Sequence, residues 1–212
     1  MNHNHRYGGD DPKAPSQPEK QIVVSESGEH KPQVLEVVNN RIYFYADIDR
    51  DTILKLNKAL MELDAQHMAG AFQNSDETFR SIYLHINSYG GYIFDGLAGS
   101  DQIALSKSPV ITVVDGICAS AATFLSVKGK KRYIKKNSFM LIHQLSSGMW
   151  GKYDEFIDEM KNLEKLMEII RRVYLENTGL TKKKLDEILS RDLYFDAKEC
   201  IKYGLVDEIL KG

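Results

Sequence analysis

The run Val110-Ile111-Thr112-Val113-Val114-Asp115-Gly116-Ile117-Cys118-Ala119-Ser120-Ala121-Ala122 sets one serine where a β-branched stretch gives way, through Gly116 and small residues, to an apolar helical pattern. A serine at such a strand-to-helix turn can act as a nucleophile. Small neighbours let backbone N–H groups approach a reacting carbonyl, and the helix N-terminus adds partial positive charge where an oxyanion forms. Taken alone, the same serine reads first as a plain helix cap that bonds the orphan N–H groups of the first turn. Partners decide between the two. Residues 137–144 read as a short apolar strand with His143 at its C-terminal end, ahead of the Ser146-Ser147-Gly148 turn. Asp192 lies between a helical pattern over residues 181–189 and a second helix opening at Asp196. The Asp196…Glu199 spacing is that of a capping box, so Asp192 is not needed as a cap. Ser120, His143 and Asp192 together supply the nucleophile, the general base and the orienting acid of acyl transfer, a set that recurs in several chain orders. Gly90-Gly91 suits the same reaction, because only glycine lets the backbone lie against an extended substrate and aim an N–H without Cβ interference. The pair is not a dinucleotide fingerprint, since the G-x-G-x-x-G spacing is absent.

The elements around these residues must bring them together. Residues 41–45, 82–86 and 110–114 read as strands. Helices are expected over residues 51–64, where Ile53, Leu54, Leu56, Leu60, Met61 and Leu63 are apolar, over 93–105, and over 119–127 behind the serine. Strands separated by helices of this length call for right-handed βαβ crossovers and a largely parallel sheet. Sites in such sheets gather at the strand C-termini. Gly90-Gly91, Ser120 and His143 all fall at or just after a strand end. Residues 153–177 contain no Gly or Pro, and Phe156, Met160, Leu163, Met167, Ile170 and Tyr174 recur at steps of four and three, which makes a helix with an apolar stripe. Leu166, Ile169 and Val173 widen it beyond what one contact surface requires. The basic run over residues 128–136 reads as a solvated hairpin in preference to a phosphate site.

Composition excludes several classes of function. A net charge of −2 over 212 residues gives no reason to expect nucleic acid or an anionic membrane as a partner. No run approaches the roughly 18 apolar residues of a membrane span, and the polar N-terminus lacks an apolar signal region. With two cysteines, Cys118 and Cys200, a disulfide framework is not expected, and the apolar setting of Cys118 makes it a packing residue. No Cys/His spacing suggests a metal site, and no cofactor is implied. These features describe a cytoplasmic enzyme domain. Residues 1–31, rich in Pro, Gly, Ser and charge, are expected to be a mobile extension ahead of a domain over residues 32–212. His3 and His5 are assigned no function.

From about Leu35 to Leu210 the chain resembles the ClpP-type serine peptidases, the proteolytic subunits of the Clp protease family within the ClpP/crotonase superfamily. The resemblance is carried by Ile86-Asn87-Ser88-Tyr89-Gly90-Gly91, Gly116-Ile117-Cys118-Ala119-Ser120-Ala121, Met140-Leu141-Ile142-His143-Gln144, and Arg191-Asp192 followed by Tyr203-Gly204-Leu205-Val206-Asp207. It implies an α/β fold, a ClpP/crotonase-like spiral of βαβ units with a protruding handle helix over about residues 150–177. By position, the family's nucleophile falls on Ser120, its base on His143 and its acid on Asp192, with the oxyanion donors on the backbone N–H groups of Gly91 and Ala121. It further implies two stacked heptameric rings joined through the handle helices, polypeptide substrates, an AAA+ unfoldase as partner, and axial gating loops, here at residues 22–27. The chain departs from the pattern at Tyr89, where the family usually has proline, and at Ala122, where it has glycine. The family's apolar docking pockets fit Tyr83, Leu105 and Leu210, but His85 and Asp115 stand where larger apolar groups are expected, so docking to a standard unfoldase should be altered or absent. The wording around Ser120 is also similar to the phage branch of the family, which admits a head- or scaffold-processing peptidase that works without an ATPase. A catalytically silent ring subunit is the alternative from another class, and the presence of Ser120, His143 and Asp192 speaks against it. A crotonase-like acyl-CoA enzyme would not need the serine.

Overall fold

The computed structural model describes residues 34–73 and 81–211, without the side chains of residues 71–73. The expected extension over residues 1–31 and its axial loop lie outside them. The chain opens with an antiparallel hairpin, β1 (Val34–Val38) and β2 (Arg41–Tyr45), turned at Asn39 with φ 56°. α1 (Arg50–Gln73), β3 (Ile82–Ser88), α2 (Ile93–Leu105), β4 (Val110–Ala119), α3 (Ala122–Val127) and β5 (Lys131–Ile134) follow. The rest comprises β6 (Phe139–Leu141), α4 (Tyr153–Asn177), α5 (Lys182–Leu189), β7 (Tyr194–Phe195), α6 (Ala197–Lys202) and β8 (Glu208–Ile209). The sheet runs β1-β2-β3-β4-β5-β8 and is parallel from β2 onward, with β6 branching from the far end of β4 and β7 antiparallel to β6.

Alternation explains which face is covered. Ile42, Phe44, Ile82, Leu84, Ile86 and Val114 are fully buried and join one core with Leu56, Leu60 and Leu125 of the helices. Each such side chain removed from water contributes on the order of 1.5–3 kcal/mol before entropy is counted. Thr112, between Ile111 and Val113, reaches the Ser126 carbonyl of α3 at 2.8 Å and pins that helix to β4. Arg132 on β5, opposite Thr112, pins the C-terminal elements. It pairs with Asp207, bonds the Gly204 carbonyl at 2.9 Å and also reaches the Asn177 carbonyl that ends α4.

Three expectations change. The basic run is not a hairpin, because residues 131–134 enter the sheet as β5, parallel to both β4 and β8. The helix behind Ser120 begins at Ala122, not at residue 119, because β4 continues past a bend at Gly116 (φ 95°) and pairs Ile117, Cys118 and Ala119 with β6. α1 extends to Gln73, well beyond the expected end at residue 64. The helices over residues 93–105 and 153–177 have the expected bounds. No helix among the described residues is long and apolar enough to cross a membrane.

α4 is divided along its length. Ile170, Val173 and Tyr174 are buried against the body of the domain, whereas Tyr153, Phe156, Ile157 and Met160 in the first two turns are exposed. The helix starts with the Lys152 N–H donating to the Glu155 carboxylate at 2.9 Å. Its protruding half therefore has apolar residues with nothing among the described residues of this protomer to cover them.

Candidate active site

Strand register builds the site. β3 and β4 are parallel with Ser88 opposite Cys118, and two steps further Gly90 meets Ser120. A Cβ built on Gly90 would lie 2.7 Å from both the Ala119 carbonyl oxygen and the Ser120 Cβ, and 3.1 Å from the Ala121 nitrogen. Only glycine fits there, at φ 102°. Gly91 (φ 149°) lies against the backbone of Ile48, in a bridge formed by Ile48 N–H donating to the Gly90 carbonyl and Tyr92 N–H donating to the Ile48 carbonyl, both at 2.8 Å. That pattern leaves the Gly91 N–H facing away from Ile48, toward the side on which Ser120 lies. The Gly90 N–H is held by the Ser88 hydroxyl at 3.1 Å.

Ser120 itself is held in the left-handed region, φ 53°, by its N–H donating to the Leu141 carbonyl at 2.8 Å. A non-glycine residue in that region is strained by about 1–2 kcal/mol, and such strain clusters at functional turns. The residue at the N-cap of α3 is Ala121, with no side-chain cap. The cap reading of Ser120 is therefore not realised.

His143 follows β6 by two residues and is aimed by its neighbours. Gln144 N–H donates to the Leu189 carbonyl at the end of α5 (2.8 Å), and Leu145 N–H to the Met167 sulfur of α4 (3.3 Å). β7 returns antiparallel to β6, with Met140 opposite Phe195 and Leu141 opposite Tyr194. Continuing that register two steps sets His143 opposite Asp192. Its Oδ1 lies 3.8 Å from His143 Nδ1, and the two side chains are 81% and 25% exposed respectively. At that separation they form an ion pair once the imidazole is protonated, not a hydrogen bond.

Ser120, Ala121, Gly91 and His143 line one cleft of about 230 Å³, closed on the other side by Tyr92, Phe124, Leu145, Ile170 and Tyr174. Sequence reasoning did not single out these wall residues. Ile170 and Tyr174 had a visible signal, their place on the α4 stripe; Tyr92 and Phe124 had none. The cleft can take an apolar side chain beside a serine, an imidazole and two N–H donors. Cys118, two residues from Ser120, is fully buried, and burial pushes its thiol well above its ordinary range, which fits packing and not nucleophilic chemistry.

The other face of the sheet holds a second constellation, with His85 and Asp115 buried. Asp115, on β4, accepts from Tyr45 at 2.6 Å, pairs with Lys135 and lies 3.4 Å from His85, which stacks on Tyr43 and meets Arg41 at 3.2 Å. Burial by itself would raise the Asp115 carboxyl, but the bonds from Lys135 and Tyr45 hold it below the usual carboxylate range. Burial pushes His85 down, a direction reinforced by Arg41 and Lys135 and opposed by Asp115. Beside this network Tyr83 is half-buried under the Arg41 guanidinium and Leu210 is half-buried, whereas Leu105, at the end of α2, is 74% exposed.

A parallel sheet covered by helices on one face, with a strained serine at a strand end and a histidine and the Gly91 backbone in the same cleft, has the make-up of an α/β serine hydrolase. Known proteins narrow that class. The Clp protease family model matches residues 27–212. The ATP-dependent Clp protease proteolytic subunit of Chlorella vulgaris is 31% identical over 174 residues, 80% of this chain and 84% of that protein. Proteolytic subunit 2 of Treponema denticola is 35% identical over 160 residues, 74% of this chain and 79% of that protein. Among solved structures, a point mutant of ClpP1 from Listeria monocytogenes superimposes with a TM-score of 0.70 at 25% identity, covering 82% of this chain and 92% of its own. The chain belongs to the Clp protease family, whose members are serine-type peptidases, and it has the ClpP fold.

Proposed function

We propose that the chain is the proteolytic subunit of a self-compartmentalised serine endopeptidase, with Ser120 as nucleophile, His143 as general base and Asp192 as the acid that orients it. The observation that carries this is the shared cleft of Ser120 and His143, with Ser120 held at φ 53° beside Gly90-Gly91. His143 takes the Ser120 hydroxyl proton as the oxygen attacks a peptide carbonyl, and returns it to the leaving amine. Asp192 favours the imidazolium that forms between those steps. The N–H groups of Gly91 and Ala121 hold the oxyanion, and water releases the acyl-enzyme. The apolar cleft wall favours substrates with an apolar side chain next to the scissile bond.

The exposed apolar turns of α4 support pairing of handle helices between two stacked heptameric rings, in a cytoplasmic particle fed with unfolded polypeptide by an AAA+ unfoldase. A second reading is favoured by one observation, the ionic network of His85, Asp115 and Lys135 on the face where an apolar docking surface is expected. It makes the chain a processing peptidase that acts without an ATPase. Degradation of a folded, tagged substrate only when an unfoldase is added decides for the first reading over the second.

Cleavage of a short fluorogenic peptide tests the catalytic assignment. Ser120→Ala should lower turnover by ~10⁶, as in serine-protease triads generally, and abolish labelling by a fluorophosphonate. Asp192→Asn should cost less than the ~10⁴ typical of a buried aspartate, because this carboxylate is 81% exposed. More than a few per cent of activity in Ser120→Ala overturns the assignment. Failure of the unaltered protein to take up fluorophosphonate points instead to a silent ring subunit.

A further inference from the structure

The Ser120–Ala121 peptide unit joins the nucleophile to one oxyanion donor, so its orientation matters twice. A trans peptide unit is planar, with its C=O and N–H pointing in opposite directions. Whatever holds the Ser120 oxygen therefore aims the Ala121 N–H.

Thr123 holds that oxygen by two bonds. Its N–H donates at 3.0 Å, an ordinary bond of a first helical turn, and its hydroxyl donates at 2.6 Å, which the helix does not require. Thr123 Oγ1 lies 2.6 Å from the Tyr174 hydroxyl of α4, and the two residues are 0% and 1% exposed. A hydroxyl has one proton. Since that of Thr123 goes to the Ser120 carbonyl, the Tyr174 hydroxyl must be the donor to Thr123, its one hydrogen-bond partner among the described residues. Burial pushes the Tyr174 phenol far up, which keeps its proton in place. The ring of Tyr174 packs on Phe124 at 5.9 Å, and both line the cleft. The Ser120 N–H bond to the Leu141 carbonyl fixes the peptide that precedes Ser120, so the peptide that follows it is fixed from the Thr123 side.

We propose that Thr123, braced by Tyr174, is a positioning residue that holds the Ser120–Ala121 peptide in the orientation at which the Ala121 N–H meets the oxyanion, and that the pair ties α4 to the reaction centre. This rests on Ser120 being the nucleophile. Misaiming one donor costs less than losing it, which is worth ~10²–10³ in rate.

The experiment measures kcat and KM for a short fluorogenic peptide, and the inhibition constant of a peptide aldehyde that forms a tetrahedral adduct. Thr123→Val should lower kcat by ~10–10²-fold with KM within about two-fold, and weaken the aldehyde in the same proportion as kcat/KM. Thr123→Ser, which restores the hydroxyl, should return kcat to within about three-fold of the parent. Tyr174→Phe should cost about three- to ten-fold, and the double variant should be no worse than Thr123→Val alone, because Tyr174 acts through Thr123. If Thr123→Val does not fold because it strands the buried Tyr174 hydroxyl, the double variant, which removes both partners, carries the test. An unchanged kcat in Thr123→Val, a Thr123→Ser as slow as Thr123→Val, or losses that multiply in the double variant would each overturn the proposal. Activity surviving in Ser120→Ala removes the assignment beneath it, whereas an unchanged Thr123→Val with a dead Ser120→Ala removes the clamp alone.

Discussion

Gly90→Ala perturbs the site by a single methyl group. The added Cβ would lie 2.7 Å from the Ala119 carbonyl oxygen and from the Ser120 Cβ. That is about 0.7 Å short of the distance at which such atoms normally touch. Neither neighbour is the free end of a flexible side chain. One is backbone on the ten-residue strand β4, and the other is the first carbon of the Ser120 side chain. The position is also at φ 102°, where alanine is strained by roughly 1–2 kcal/mol. Two responses are open, and both strike the reaction. Either the Ser120 turn retreats by about half an ångström or more, and misplacements near 1 Å cost ~10² in rate; or the Gly90-Gly91 segment retreats and carries the Gly91 N–H away from the oxyanion, at ~10²–10³. The expected result is a fall of ~10²–10³ in kcat for a fluorogenic peptide, with the cooperative melt retained. Gly148→Ala is the control, since a Cβ there meets nothing within 4 Å, and it should stay within two-fold (about the reproducibility of such an assay). Gly90→Ala with more than a third of the parent activity would refute the close approach of this backbone to Ser120.

Two other outcomes follow from groups away from the cleft. Phe156→Glu with Met160→Glu, on the exposed half of α4, should leave protomer melting nearly unchanged and break the assembly, read by sedimentation velocity; loss of the fold in place of the assembly would show that these side chains belong to the protomer core. His85 gives a dependence on pH. Its folded-state value lies below the ordinary one near 6.5, so between the two values the unfolded chain binds the extra proton and stability falls as pH falls. The contribution is whole above about pH 6.5 and is lost below it. His85→Gln should flatten the decline in denaturation midpoint between about pH 6.5 and 5, leaving the loss from Asp115, also depressed, for lower pH. An identical slope in parent and variant would contradict the burial of a neutral imidazole.

Much of this architecture was legible because its signals are local. The 3.6-residue stripe of α4, the Asp196…Glu199 box, in which the Asp196 side chain accepts from both Lys198 and Glu199 N–H groups, and the β-branched runs of β3 and β4 each declare themselves within a short window. Ser120, His143 and Asp192 could be picked by type and order, and Gly91 and Ala121 by the family resemblance. What joins them could not be read, because it depends on register between segments far apart in the chain. That Gly90 meets Ser120 follows from Ser88 opposite Cys118, and that His143 faces Asp192 follows from Leu141 opposite Tyr194. The run over residues 128–136 misled for a related reason. Its charges suggest solvent on both faces, yet Tyr133 and Ile134 pair with β8 and the Arg132 charge is taken up by Asp207 and two carbonyls. Thr123 had no signal of its own in the sequence, since its role lies in one hydroxyl bond to a residue three positions back.

Ser120 and Asp192, the proposed nucleophile and acid, differ in how firmly the fold grips them. Ser120 directly follows β4, which pairs with β3, β5 and β6 in the middle of the sheet. Asp192 hangs beside β7, a ladder of two residue pairs at the sheet's outer branch, next to Leu193 and Tyr194, each 54% exposed. Local opening spans a wide range of free energies within one domain, and short ladders at the edge lie at its low end. β7 can therefore detach while the cleft and the strained serine stay formed, which, with the proposed triad, leaves a protein that still binds a peptide and cuts it slowly. A proposed acid on the part of the fold that comes loose first is a simple safety catch.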